Sequence, residues 1–201
     1  MRAAGLVTIA GVALCAMGFG CGSTTATAQQ GWGVASLMAE LAHVRSASGQ
    51  FTERKTMHML TQPLLLSGRL AYVAPNYLEK DTLSPTPEKL VMKGDAVTVV
   101  ANNETHTFSL AQYAEIGGLV EGIRATLAGD LQTLEHFYTL QLSGAAAGWD
   151  LRLVPRDGDL THFVKWIEFH GSGDRIQTIS TEDSDGDRSD MNIVEDTRDV
   201  R

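Results

Sequence analysis

At 201 residues the chain has room for one domain with a substantial core. Its formal net charge of −8 makes it a poor partner for nucleic acid or an anionic membrane surface. Both cysteines, Cys15 and Cys21, fall close to the N-terminus, so neither a disulfide nor a thiolate metal site can organise the remainder.

The first predicted element is a leader. Arg2 supplies a basic start, Ala3 to Phe19 is apolar and uncharged, and Ala26-Thr27-Ala28 gives the small-x-small pattern read by a signal peptidase. Residues 1–28 are therefore expected to be a signal peptide and residues 29–201 the mature domain, exported to the periplasm. The apolar run is too short and too rich in Gly and Ala for a spanning helix. Cys21, followed by Gly22-Ser23, offers a second outcome, lipoprotein anchoring. Gly18-Phe19-Gly20 lacks the aliphatic residue that such a site wants, so soluble export is favoured. Removing the leader removes one cation, Arg2, and makes the domain more acidic still.

The mature chain opens with an amphipathic helix, where Val34, Leu37, Met38, Leu41 and Val44 keep helical spacing against Glu40, His43 and Arg45. Ser46 to Gly49 reads as a polar break. The period then changes to two, and strands are predicted over 50–59, 64–73, 77–83, 88–92, 96–101 and 105–110. Gly94-Asp95 and Asn102-Asn103 are hairpin signals. Ile116, Leu119, Val120, Ile123 and Leu127 form the apolar stripe of a second helix, with Gly117-Gly118 loosening it, and 130–137 adds a short helical turn. Strands resume over 138–142, 149–154, 163–169, 175–181 and 188–194. Asp157-Gly158, Gly171-Ser172-Gly173 and Asp185-Gly186 are the hairpin chemistry between them.

This order predicts a mainly β (α+β) domain without repeats or linkers. Its single curled antiparallel sheet forms an incomplete β-barrel, with an N-terminal helix and an inserted helix over an apolar cavity.

Reactive chemistry is sparse in the sequence. His43, His58, His106, His136, His162 and His170 are scattered without metal-ligand spacing. There is no Gly-x-Ser-x-Gly elbow, no phosphate-binding glycine loop and no mature cysteine nucleophile. Glu182 to Asp187 is acidic, but its glycine comes too early for an EF-hand loop and Val194 stands where the closing glutamate belongs; a hairpin turn is the better reading. No enzyme, metal or cofactor is expected. Trp149 and Trp166, taken singly, read as core packing, and strand alternation cannot separate a filled interior from an open one.

Several segments, in order, resemble the LolA family of lipoprotein carriers. Gly68-Arg69-Leu70-Ala71-Tyr72-Val73-Ala74-Pro75-Asn76 is similar to that family's Gly-x-Leu strand and its Arg-Pro-Asn turn. Ser48-Gly49-Gln50-Phe51-Thr52-Glu53 is similar to its first strand, and Lys89 to Asp95 to the turn that follows. Trp149 to Pro155, Trp166-Ile167-Glu168-Phe169, Gly173 to Ile176 and Thr181-Glu182-Asp183 complete the set.

The resemblance implies a monomeric periplasmic carrier. An incomplete barrel with helical lids would take acyl chains of a lipoprotein or lipid from an inner-membrane donor towards an outer-membrane acceptor. The wall would come from Leu70, Tyr72, Leu78, Leu90, Met92, Val97, Val99, Trp149, Leu151, Trp166 and Phe169. The lid would come from Ile116, Leu119, Val120, Ile123 and Leu127. Two alternatives share the fold: a LolB-like acceptor anchored through Cys21, and a ligand-free accessory protein of an envelope lipid or aryl-polyene pathway.

Three departures are visible. The family's arginine before proline, which bonds to lid backbone, is Ala74; Lys80 stands where the family commonly has an aromatic; and the sequence ends at Arg201, where the family usually adds a C-terminal strand and tail. They point to a divergent paralogue rather than the housekeeping carrier.

Overall fold

The computed structural model describes residues 31–112, 114–156 and 158–200, with the backbone alone for 114–116. The predicted leader and Cys21 lie outside the described residues.

Helix α1, Val34–Leu41, buries Leu37, Met38 and Leu41, the stripe its spacing predicts. It ends sooner than the periodicity suggests, because Val44 already belongs to β1, Val44–Thr56. The predicted break at Ser46 to Gly49 is strand too. Those small residues pair with β11 (Arg188–Val200) on one side and β2 (Leu64–Val73) on the other. Two-sided pairing overrides their weak intrinsic preference for strand.

After β2 come β3 (Tyr77–Ser84), β4 (Glu88–Lys93), β5 (Ala96–Ala101) and β6 (Glu104–Ser109). A 3₁₀ turn, Leu110–Gln112, leads to α2 (Ala114–Ala128) and α3 (Leu131–Phe137). The second run of strands is β7 (Tyr138–Ala145), β8 (Gly148–Pro155), β9 (Val164–Ser172), β10 (Arg175–Asp183) and β11. The turns have the chemistry their residues predict. Asn102 and Asn103 both take positive φ, 53° and 64°, as a two-residue hairpin of the I′ kind requires. Between β8 and β9 the predicted hairpin is instead a short helix, α4 (Gly158–Thr161), because Leu160 turns inward and is buried.

All strands form one sheet of 11, in the order β6-β5-β4-β3-β2-β1-β11-β10-β9-β8-β7, and each neighbouring pair is antiparallel where its register is resolved. Two meanders, β1–β6 and β7–β11, are thus joined where the first strand meets the last. The edges, β6 and β7, do not pair with each other, so the barrel stays incomplete. They are consecutive in sequence, so the segment between them must travel from one edge to the other. That segment carries α2 and α3 over the inner face.

The inner face is filled at both flanks. On one, Leu37, Leu134, Tyr138, Trp149, Leu151, Leu153, Ile167 and Phe169 form the main core under α1 and α3. On the other, Met92, Val97 and Leu110 form a smaller cluster with Leu78, Leu90, Val99, Phe108 and Val120 against it. Among the described residues no helix is long and apolar enough to cross a membrane.

Candidate functional site

Between those two clusters the sheet and α2 do not meet. They leave an open-sided cavity of about 370 Å³, within the range of about 300–1,000 Å³ usual for small-molecule sites. Its walls are mostly apolar: Leu70 and Tyr72 of β2, Leu78 of β3, Leu90 and Met92 of β4, Ile176 and Ile179 of β10, and Met191 and Ile193 of β11. Leu119, Ile123 and Leu127 close it from α2, spaced four residues apart so that all three share one helix face. The Tyr72 hydroxyl, on a residue only 5% exposed, has no hydrogen-bond partner there.

Charged groups mark the two ends. At one, the Glu53 carboxylate, 5% exposed as a residue, accepts from Lys80 Nζ and from Ser189 Oγ at 2.5 Å, and Lys55 Nζ stands 3.6 Å away. Burial alone would raise the Glu53 carboxyl. The bonds from Lys80 and Ser189 and the charges of Lys80 and Lys55 outweigh it, holding the group below its ordinary value. Lys80 also lies 4.9 Å from the Phe51 ring centre. At the other end, Arg198 reaches Asp174 Oδ2 at 2.8 Å and Glu195 Oε2 at 3.5 Å, while its Nε is buried without a partner.

The sequence from residue 26 to residue 199 matches the profile of the outer membrane lipoprotein carrier protein LolA-like family. The chain belongs to that family. No curated protein matches it. Solved structures with similar folds include the LolA superfamily protein of Nitrosomonas europaea, with 13% identity, TM-score 0.41, and coverage of 83% of this chain and 92% of that one. An outer membrane lipoprotein-sorting protein domain from Vibrio parahaemolyticus has 9% identity, TM-score 0.43, and coverage of 84% and 90%. The MucA/MucB complex of Pseudomonas aeruginosa has 12% identity, TM-score 0.44, and coverage of 84% and 59%.

Against the LolA-like expectation, the structure brings together Leu70, Tyr72, Leu78, Leu90 and Met92 with Leu119, Ile123 and Leu127. Val97, Val99 and Val120 stand beside this cavity in the smaller cluster. Trp149, Leu151 and Phe169 belong to the main core, where Trp149 Nε1 donates to the Gly173 carbonyl at 2.8 Å. Trp166 is on the opposite face of β9 from Ile167 and Phe169. There it lies 4.6 Å from the Arg152 guanidinium and 5.3 Å from that of Arg188. The Ile116 side chain is outside the described residues.

Sequence reading missed the share of β1, β10 and β11. Alternation along Ser189, Met191, Ile193 and Glu195 was the available signal, with every second residue facing inward.

Helix α2 is also fastened by a hydrogen bond. The Tyr138 hydroxyl donates to the Gly118 carbonyl of α2 at 2.6 Å. Tyr138 is fully buried, and burial, then the Glu121 charge, pushes its phenol far up, so it stays protonated and can donate. Nor do the glycines of α2 merely loosen it. A Cβ at Gly122 would stand 2.8 Å from Tyr138 Oη, and one at Gly118 would stand 2.4 Å from Leu160 Cδ1. Their bareness lets the helix come close to the core.

Proposed function

We propose that the protein is a periplasmic carrier that takes acyl chains of lipoproteins or other lipids between the curled sheet and α2 and delivers them from the inner to the outer membrane. In this reading residues 1–28 are a leader removed on export, and the carrier works as a monomer between an inner-membrane donor and an outer-membrane acceptor. The observation that carries it is the apolar cavity left open between two filled flanks of the sheet, in a chain of a carrier family.

The work is binding without bond chemistry. Each methylene withdrawn from water contributes about 0.8 kcal/mol, offset in part by the ordering of chain and lid. Release requires a lid that can lift, and beyond its apolar packing α2 is tied to the sheet by the Tyr138 hydroxyl bond to the Gly118 carbonyl.

The test is native mass spectrometry of the protein isolated from periplasm, with lipid extraction of the same sample. A reproducible adduct that extracts as an acylated species supports the carrier. Leu119→Asp and Ile123→Asp place a carboxylate against the bound chain and should abolish the adduct while leaving the circular dichroism spectrum intact. A bare mass that fatty acids and lipopeptides do not change would overturn the reading.

A further inference from the structure

The charged residues lining the cavity are not evenly spread. Glu53, Lys55 and Lys80 stand at one end, giving two cations to one carboxylate. Asp174, Glu195 and Arg198 stand at the other, and Arg175 Nε, just outside the lining, lies 3.9 Å from Glu195, so that end has no surplus cation. Strand β11 measures the separation. Ser189 bonds Glu53 at the first end, Glu195 meets Arg198 at the second, and at about 3.3 Å per residue they lie roughly 20 Å apart along the strand. Met191 and Ile193 line the apolar stretch between them.

A cavity polarised in this way discriminates by the sign of a ligand's polar end. Lys80 sits in an apolar wall, opposite Leu70 on one neighbouring strand and Leu90 on the other. Its charge is balanced by Glu53, which is itself saturated by Lys80 and Ser189. Lys55 then remains as the surplus cation. Its ammonium approaches Glu53 no closer than 3.6 Å, and its side chain is 39% exposed. The wall beside it keeps the local dielectric below that of water, which strengthens its attraction for an anion.

We propose that the cavity selects amphiphiles with an anionic polar end, a carboxylate or a phosphate. That end is held at Lys55, beside the Lys80–Glu53 pair, and the acyl chain runs along β11 towards Ile193. This inference rests on the carrier reading and adds the class of cargo to it. An anion entering the other way would meet no surplus cation, because Arg198 and Arg175 are paired with Asp174 and Glu195, so orientation and headgroup are selected together.

Displacement of the neutral fluorophore N-phenyl-1-naphthylamine from the purified protein tests this. The competitors are palmitate, hexadecyl phosphate and hexadecan-1-ol, which share one chain length and differ in the polar end. At low salt the anions should displace the dye at concentrations at least fivefold lower than the alcohol, a modest factor because Lys55 is partly exposed. Lys55→Gln should bring that ratio close to one, and Glu53→Gln should raise it; urea midpoints check that both variants fold.

A preference for palmitate alone identifies a carboxylate amphiphile, and a preference for hexadecyl phosphate alone identifies a phosphate ester. Equal displacement by all three overturns the inference and leaves the carrier reading intact, as does a ratio unmoved by Lys55→Gln. If the protein binds neither the dye nor any of the three amphiphiles, both readings fall.

Discussion

Glu53 shows how one residue can serve the fold and the cavity at once. A carboxylate this buried is tolerated only because Lys80 and Ser189 satisfy its oxygens and Lys55 stands nearby. The pH dependence follows from the direction of its shift. Its pKa is held below the ordinary value in the folded protein, so ionised Glu53 stabilises the fold at neutral pH. That contribution should be lost as pH falls through the ordinary glutamate range, about pH 4, and below it. Asp130, Asp187 and Asp190 shift the same way and add to acid sensitivity, but a comparison with Glu53→Gln cancels them. Urea unfolding at pH 7 should show Glu53→Gln less stable by about 1–2 kcal/mol, with the gap closing towards pH 3. A gap independent of pH would mean that shape, not charge, is what Glu53 supplies.

In the proposed carrier α2 is the element that covers the cavity, and it is attached by apolar packing on both clusters and by the Tyr138 hydroxyl bond. The Tyr138 hydroxyl, on a buried residue, donates to a partly buried Gly118 carbonyl, so Tyr138→Phe leaves that carbonyl without this partner, at a cost of about 1 kcal/mol. Because the bond joins α2 to the sheet and not strand to strand, the loss should appear locally. Amide exchange over 117–128 should quicken severalfold while β8 and β9 keep their protection. Uniform quickening would show α2 to be part of the global unfolding unit.

The same element shows what was legible in the sequence. Leu119, Ile123 and Leu127 were readable because helical spacing places them on one face, and the wall residues of Leu64–Val73 and Ala96–Ala101 because Leu70 and Tyr72, like Val97 and Val99, stand two apart. Period two also explains where the reading of the wall scattered. Trp166 and Phe169 stand three residues apart on one strand and so face opposite sides. The contribution of β1 was hidden because Gly49 and Glu53 look nothing like an apolar wall, and their place depends on a partner strand at the far end of the chain.

Across the whole molecule, the seam between β1 and β11 holds the two meanders in one sheet. Its residues run from Val44 opposite Val200 to Thr56 opposite Arg188, with the register shifting between Val44 and Ser46 and again between Ser48 and Gly49. The halves it joins are unequal. The main core lies under β7–β10, whereas β3–β6 enclose only the small cluster around Met92, Val97 and Leu110. So small a cluster cannot hold an independent unit, and β1–β6 should keep its structure only while the seam is intact.

Gly49 is the place to test that dependence. A Cβ there would stand 2.5 Å from the Val194 carbonyl oxygen, which is backbone and cannot rotate away. Gly49→Ala should therefore part the strands locally and destabilise the protein by about 2 kcal/mol. Two probes report on different halves: fluorescence from Trp32, Trp149 and Trp166 follows the segment before α1 and strands β8 and β9, and amide exchange follows β2–β5. In the parent protein both should give one urea midpoint. In Gly49→Ala the exchange midpoint should fall further than the fluorescence midpoint, because the half with the smaller core loses its support first. Equal falls would mean that α2, bridging both clusters through Leu119 and Val120, couples the halves as strongly as the seam does.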